Sequence, residues 1–458
     1  MDAKTRRRAA RNNGPVLSED LIARDFVDQH ENMIRYDAEA PGWYVWDNTI
    51  WRPDKTAIAF EWTRHLIRGK LQNEEIGDRR RMGSLRFARG VEGFAKTDQR
   101  IVVTRNRWDQ DVDLIGTPTG IVDLRTGDIF EPEPDYYITR AVAVDPENVT
   151  LCPRWFAFLN QVTNKDAALK DFLKQWCGYS LTGEIREQKL CFIHGPSGTG
   201  KTTFKNILRR IAHDYAVNAA METFSDSKFD QHPEQLARLD GPRVVIASET
   251  EAGHKWRENR IKLMTGGDEM TAHFMRQNSF DFLPRFKLTF VGNFAPAITH
   301  LDSAIRRRFI VVPFLNLPAE IDDALEEALM AEAPGILRWM IQGAQDWYNK
   351  GLVLPKAVTE ATTQYFDDQD MFAQWLEECC DVDPGNQTLL EKTAELYASW
   401  SAWIGQRGEV SGTQTTFNQT LRNRGFEGKQ IKALGTKGCY GIRLKLTQTG
   451  KDKAAGEF

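Results

Sequence analysis

The apolar positions fall into segments with different periods. From Asp20, Leu21, Phe26 and Ile34 mark a helical stretch that leads into Trp43-Tyr44-Val45-Trp46-Asp47, then Ile50 and Trp51. Alternation on either side of Asp47-Asn48 predicts a hairpin with those residues at its turn. A helix is expected near Ile58–Leu71, and a short hairpin around Ile121–Leu124 between Thr119-Gly120 and Thr126-Gly127. Asp145-Pro146 reads as a boundary. Residues 153–182 read as helical, since Leu169, Phe172, Leu173, Trp176 and Cys177 fall at i, i+3, i+4, i+7 and i+8. Four short, nearly continuous apolar runs follow: Leu190–Ile193, Val244–Ala247, Leu288–Val291 and Phe309–Val312. Central strands buried on both faces read this way. Residues 320–350 read as helical again, and a third region begins after Leu354-Pro355.

The length of 458 residues implies two to four domains at about 150 residues each. A hydrophobic share of 41% with 27% charged residues is ordinary globular composition and excludes disordered, collagenous and coiled-coil classes. The longest apolar run is Trp155–Leu159, against about 20 residues for a bilayer, so no membrane span is expected. Arg6, Arg7, Arg8 and Arg11 precede no apolar stretch, so no secretory signal is expected. The cysteines Cys152, Cys177, Cys191, Cys379, Cys380 and Cys439 lack metal or redox spacing and are read as reduced packing residues of a cytoplasmic protein. The net charge of −4 argues against indiscriminate nucleic-acid binding. Its distribution is uneven: Arg79 to Arg107 holds nine basic and two acidic residues, and Arg407 to Phe458 ten and four. Such stretches suggest directed anion binding.

Gly195-Pro196-Ser197-Gly198-Thr199-Gly200-Lys201-Thr202, with Thr203 next, fits G-x-x-x-x-G-K-[ST]. Its glycines let backbone N–H groups turn toward phosphate oxygens, Lys201 brings a charge to the β- and γ-phosphates of ATP, and the Thr202 hydroxyl suits Mg²⁺. A strand precedes the loop, and Phe204, Ile207, Leu208 and Ile211 make an amphipathic helix after it. The chemistry also needs a carboxylate at the end of a second buried strand. Glu249 closes Val244–Ser248, with Glu251 as second candidate. Asn293 ends a third strand, where its amide can reach a γ-phosphate and water. Arg306-Arg307-Arg308 enters the last strand 13 to 15 residues later.

Together these elements resemble the superfamily 3 helicases. Lys201 and Asn293 are 92 residues apart, a compactness typical of that superfamily. The closer resemblance is to the phage and plasmid primase–helicase family, whose relatives include the poxvirus primase–helicase. It is carried by Thr117–Gly127, Gly178–Gly183, the phosphate loop, Ala247–Glu251, Thr265–Asp268 and Asn293. The resemblance implies that Lys201 and Thr202 bind ATP and Mg²⁺, that Glu249 is the metal-assisting carboxylate, and that Asn293 is the sensor. It implies that Thr265–Asp268 leads into a DNA-contacting hairpin, and that an arginine of 306–308 serves a neighbour's ATP in a ring hexamer. Arg307 is preferred, with Arg308 next. Relatives often carry a primase upstream, and too few residues precede position 20 for one here. Asp109, Asp111 and Asp113 imitate a polymerase metal site but lack the accompanying pattern of basic partners.

Met270–Met275 and Ser279–Leu283 alternate around Arg276-Gln277-Asn278, which predicts a hairpin bearing Arg276 and His273. After residue 353 the pattern reads as a winged helix. Leu389, Leu396, Trp400 and Trp403 mark one helix, and Phe417 and Leu421 a second. A last strand alternates Tyr440, Ile442, Leu444 and Leu446 with Arg443 and Lys445. Arg422, Arg424, Lys429, Lys432, Lys437 and Arg443 are its candidate DNA contacts. The expected architecture is therefore α/β: an α+β N-terminal domain (1–148), a helical collar (149–185), a P-loop NTPase core of the superfamily 3, AAA+-like type (186–352), and a winged helix (353–458). The expected function is replicative, ATP-dependent unwinding by a ring on single-stranded or forked DNA in a bacterial host's cytoplasm, with a separate primase or polymerase as possible partner. The alternatives are an origin-binding initiator ATPase without processive unwinding, a remodeller of protein complexes and a small-molecule kinase.

Overall fold

The computed structural model describes residues 17–72, 76–226, 234–248, 255–274, 278–298, 302–426, 428–431 and 435–445, and the backbone of Glu249. The chain divides into two units, residues 1–361 and 362–458, and each is described by itself.

The first unit opens with α1 (Glu19–His30), whose first turn is capped by the Ser18 hydroxyl accepting from the Leu21 N–H. The helix ends at His30, and Ile34 lies in the next strand, not on the helix as its spacing suggested. The strands β1 (Ile34–Asp37), β2 (Gly42–Trp46) and β3 (Trp51–Pro53) form a meander. The expected turn at Asp47-Asn48 is present, with Asn48 at φ 77°. Then come α2 (Ile58–Leu71), α3 (Ile76–Met82), α4 (Leu85–Ala95) and β4 (Val102–Val103), which joins β1 in parallel. Phe26, Trp43, Phe87 and Val91 fill the core between these helices and the sheet. A second meander, β5 (Leu114–Gly116), β6 (Ile121–Asp123) and β7 (Ile129–Phe130), completes this module.

The stretch 153–182 is two helices, α5 (Pro153–Val162) and α6 (Ala167–Leu181). Asn164 and Lys165 turn the chain between them at φ 51° and 63°, and Asp166 caps the second. A parallel sheet follows. Its strands are β8 (Leu190–His194), β9 (Ala216–Asn218), β10 (Val244–Glu249), β13 (Lys287–Gly292) and β14 (Phe309–Pro313), in the spatial order β14-β8-β13-β10-β9. The four apolar runs read from the sequence are β8, β10, β13 and β14. The edge strand β9 was missed, being three residues long and only half-buried. Between the strands lie α7 (Lys201–Ala212), α8 (Glu234–Ala237), α9 (Glu258–Gly266), the antiparallel pair β11 (Met270–Ala272) and β12 (Phe280–Phe282), and α10 (Ser303–Arg306).

Two further helices, α11 (Leu325–Met330) and α12 (Ala333–Lys350), replace the single helical stretch expected at 320–350. α12 lies so close to α6 that glycines face each other's backbones. A Cβ on Gly178 would sit 2.0 Å from the Ala344 nitrogen, and one on Gly343 1.9 Å from the Lys174 carbonyl oxygen. Trp176 of α6 donates from Nε1 to the Thr289 hydroxyl in the middle of β13, at 3.0 Å. The collar helices therefore belong to one core with the sheet. The helix α13 (Lys356–Gln369) spans the boundary between the two units.

The second unit contains α14 (Met371–Cys379), β15 (Cys380–Val382), β16 (Leu390–Lys392), α15 (Thr393–Gly405), α16 (Gln414–Asn423), β17 (Gly428–Ile431), β18 (Thr436–Tyr440) and β19 (Ile442–Leu444). Phe372, Trp375, Leu396, Trp403, Phe417 and Leu421 form its core. Leu389 precedes β16 and is not on the helix, which starts at Thr393. The last strand is broken. Gly441 at φ 76° carries the chain from the sheet β16-β18-β17 to a separate pairing with β15. Tyr440 is accordingly 40% exposed while Ile442 is buried, so the two do not share a face. Leu446 lies outside the described residues. All six cysteines are free thiols, as expected. No described helix is long and apolar enough to cross a membrane.

Candidate functional site

The order of the parallel sheet creates a crevice. The chain leaving β8 passes over β13 and β10 to reach the edge strand β9, while the chain leaving β13 returns past β8 to β14. Strand order reverses beside β8, and ligands of open α/β sheets collect at the carboxyl ends of strands at such a point. The register puts four strand ends level: Glu249 opposite Gly292, Gly292 opposite His194, and His194 opposite Pro313. The loop Gly195–Gly200, Asn293 and the backbone of Glu249 therefore share one edge, as the sequence implied. The side chain of Glu249 and all of Glu251 lie outside the described residues.

The loop is shaped by close approaches. A Cβ at Gly195 would lie 1.9 Å from the Phe314 carbonyl oxygen. Gly200, at φ 89°, has no room for one between Phe158 and Val162 of α5, each 2.9 Å away. The segment after β14 is tied to the same helix, Gln161 Nε2 donating to the Asn316 carbonyl at 2.7 Å. The phosphate-type loop is thus clamped between α5 and the end of β14. Thr199 is fully buried and donates to the Pro196 carbonyl at 2.9 Å. Lys201 is 5% exposed, and its Nζ donates to the Gly195 and Pro196 carbonyls at 2.7 and 2.5 Å. Burial pulls its ammonium below its ordinary pKa. Among the described residues no side chain caps the start of α7, its first turn holds no acid, and Thr202 is exposed there. A helix start with uncapped N–H groups attracts anions. Glycines that a Cβ would obstruct, an uncapped helix start and a buried lysine suit a nucleotide's phosphates, and the Thr202 hydroxyl suits a hydrated divalent cation.

Two residues of this edge escaped the sequence reading. His194 ends β8, and burial together with Lys201 lowers its pKa, against the hydrogen bond it shares with the Asn293 backbone. It ties β8 to Asn293. Lys205, one turn after Lys201, donates to the Ser248 hydroxyl on β10 at 2.6 Å, next to Glu249. The only sequence signal for it was the i+4 spacing.

The arginine run sits at the other end of the sheet, where β14 begins. Arg306 and Arg307 are exposed. Arg308 is 6% exposed, with Nε donating to the Thr265 hydroxyl at 3.0 Å and a terminal nitrogen to the Ala304 carbonyl at 2.8 Å. Its guanidinium is committed within its own chain, which leaves Arg306 and Arg307 as the exposed members of the run. Two more cations are buried at this end. Arg243, which opens β10, donates to the Leu181 and Asp111 carbonyls at 2.9 and 3.0 Å. Lys287, which opens β13, donates to the Thr182, Glu184 and Arg285 carbonyls. Both hold the end of α6, whose unsatisfied carbonyls favour positive charge.

β11 and β12 form the expected hairpin, with His273 half-buried just after β11. Arg276 lies outside the described residues. The hairpin root docks on the N-terminal module: the Arg105 guanidinium covers the Phe280 ring at 3.6 Å and lies 3.7 Å from Asp240. A cleft of about 620 Å³, lined by Tyr44, Trp108, Arg140 and Phe274 among others, lies at this junction. The acidic triplet is structural. Asp109 accepts from the Thr139 N–H, Asp111 from the Asp113 N–H, and Asp113 from Arg125 and Tyr348. Among the described residues no cluster of potential metal ligands exists.

In the second unit Arg422, Lys437 and Arg443 are exposed, as is Lys429. Arg424 is not a simple surface cation: it pairs with Asp370, whose side chain is 7% exposed and caps α14 through the Ala373 N–H. Lys432 lies outside the described residues.

A family profile described as "D5 N terminal like" matches residues 22–164, and one described as a family of unknown function, DUF5906, matches residues 193–308. A protein of Acanthamoeba polyphaga mimivirus named "Putative helicase" is 24% identical over 75% of this chain and 38% of its own length. A protein of the same description from Frog virus 3 is 24% identical over 56% of this chain and 28% of its own. The C-terminal region of NrS-1 superposes with a TM-score of 0.52 at 12% identity, covering 94% of this chain and all of that one. These matches support a phage and viral primase–helicase-like family. The chain spans roughly a third of the length of the viral relatives it matches. The viral relatives support a helicase-like function in replication, and the NrS-1 likeness is one of mixed α/β fold. The first profile runs past residue 148 into α5, so the module and the first collar helix are matched together.

Proposed function

We propose that the chain is an ATP-dependent DNA helicase with a superfamily 3 type P-loop core, acting in replication as a ring that encircles single-stranded DNA. The observation that carries this reading is the glycine loop with buried Lys201, set at the switch point of the sheet and level with Asn293 and the end of β10. Lys201 and the N–H groups opening α7 hold the phosphates of ATP, and Thr202 with Glu249 holds Mg²⁺, which supplies charge neutralisation at the transferring phosphate. Asn293, steadied through its backbone by His194, orients water at that phosphate. Arg307 projects from the opposite end of the sheet, too far along β14 to serve its own nucleotide, and serves the adjacent subunit. The hairpin, with His273 and Arg276, contacts single-stranded DNA in the ring's channel. The second unit is read as a winged helix whose Arg422, Lys437 and Arg443 meet forked DNA.

The test is ATP hydrolysis with and without a single-stranded oligonucleotide, paired with strand displacement on a forked substrate and negative-stain imaging with ATP. Stimulated hydrolysis, displacement and rings are expected. Stimulated hydrolysis without displacement favours the origin-binding initiator, and hydrolysis indifferent to DNA overturns the helicase reading.

A further inference from the structure

The N-terminal module carries exposed arginines on α3 and α4 that the nucleotide site does not use. Most basic side chains of this module have a named acidic partner. Arg52 pairs with Asp47 and Asp214, Arg64 and Arg68 with Glu61, Lys70 with Asp25, and Lys96 with Glu92; Arg100 pairs with Asp28, Glu31 and Asp98. On α3 and α4 this changes. Arg80, Arg86 and Arg89 are exposed and have no ion-pair partner among the described residues, and Arg79 and Arg81 flank them. Residues 76–96 hold six basic residues and two acids, Asp78 and Glu92, inside a chain of net charge −4. Glu92 is turned away, accepting from the Trp43 indole and pairing with Lys96.

The placement follows from helix geometry. α4 buries Phe87, Ala88, Val91 and Ala95, which leaves Arg86 and Arg89, one turn apart, on its opposite face. Gly93, a further turn along, has nothing within 4 Å of where a Cβ would stand, so this face is open to close approach. Phe94, 49% exposed, borders it. Like charges at i and i+3 repel each other unless an anion lies between them. Neighbouring guanidiniums at that spacing, beside an exposed aromatic ring, match a chain of phosphates carrying bases that can stack.

We infer that the α3–α4 face binds the phosphodiester backbone of DNA, as a contact additional to the hairpin and the second unit. The choice of DNA over another polyanion rests on the helicase reading; the anion site itself rests on the arginines. In this arrangement Arg80, Arg86 and Arg89 engage successive phosphates with little sequence preference, and the N-terminal module guides the strand on its way to the hairpin.

The test uses the full chain, fluorescence anisotropy, a labelled 30-nucleotide single strand and the matching duplex, with salt titrated from 50 to 200 mM. Each lost phosphate contact flattens the log–log salt slope by about 0.7 for a single strand and about 0.9 for a duplex. The Arg80→Gln/Arg86→Gln/Arg89→Gln variant should lose about two units of slope in at least one arm. It should bind about tenfold or more weakly at low salt. Basal ATPase and Tm should stay unchanged, because none of the three side chains touches the nucleotide edge or the core. The charge-reversed Glu triple should exaggerate the loss. If the wild-type chain binds neither probe, the helicase reading itself falls. If it binds and the triple Gln variant keeps its affinity and slope in both arms, this inference fails and the helicase reading stands.

Discussion

Lys201 and Lys287 are both buried lysines held by backbone carbonyls, at opposite ends of one sheet, and their surroundings differ in what else is present. At the carboxyl end, Lys201 bonds a loop whose glycines leave space and whose neighbouring helix start lacks a cap. A phosphate can take the lysine over from the loop carbonyls. At the amino end, Lys287 and Arg243 bond the last carbonyls of α6 and the chain beyond them, beneath the Tyr179 and Tyr215 rings. These cations join elements: each ties the start of a strand to the end of α6. A buried cation marks a binding site when its carbonyl partners are exchangeable, and marks a joint when they are the only means of satisfying a helix end.

The largest expected effects break the carboxyl end. Lys201→Ala and Arg307→Ala are each expected to lower ATPase by about 10³-fold or more. Mixed rings of the two variants should regain activity, because an intact lysine then meets an intact neighbouring arginine. Mixtures that form rings yet stay inactive would remove Arg307 from the site. Arg308→Ala should instead lower Tm, and mixing should not rescue it, since its bonds are to Thr265 and Ala304. Next in size, Glu249→Gln should still bind ATP while turning it over about 10²-fold more slowly. If it keeps wild-type turnover while Glu251→Gln does not, the carboxylate has been misassigned.

The amino end is sharpened by Lys287→Met. ATPase per folded molecule should persist, while Tm falls by roughly 3–8 °C as buried carbonyls lose their donor. The effect should depend on pH. Burial holds the folded pKa of Lys287 well below its ordinary 10.5. Between those two values the unfolded chain binds more protons, so the stability this group contributes rises with pH. The Tm gap between wild type and Lys287→Met should therefore widen as pH rises toward 10; a constant gap would mean the lysine is not titrating in that window. The smallest effects belong to the second unit. Arg443→Ala should flatten the duplex salt slope by about 0.9 without altering Tm. Arg424→Ala should do the reverse, removing the ion pair with the Asp370 carboxylate.

The parts of this contrast that were legible in the sequence share a local cause. Continuous apolar runs announced β8, β10, β13 and β14, and the glycine spacing announced the loop, because period and turn chemistry are written in adjacent residues. The joint at the amino end was not legible. Nothing near Lys287 or Arg243 in sequence says that their partners are Leu181 and Thr182, more than 60 residues away. The division between Arg307 and Arg308 was hidden for the same reason, since Thr265 is reached only through the fold. Gly441 misled in the other direction. The alternation around it looked like one strand, and only its positive φ and the second pairing of β19 reveal the break.

The contact between α6 and α12 has a consequence for how the protein can vary over evolutionary time. At Gly178 and Gly343 the atoms that a new methyl group would strike belong to main chain, so no rotamer change elsewhere can make room. A compensating substitution would have to move one helix bodily, and Trp176, bonded to the middle of β13, resists that movement. These two codons should therefore be empty of alternatives in any library selected merely for soluble expression, whatever activity the survivors retain. Drift in this collar is confined to its outer surface, and its thickness is inherited unchanged.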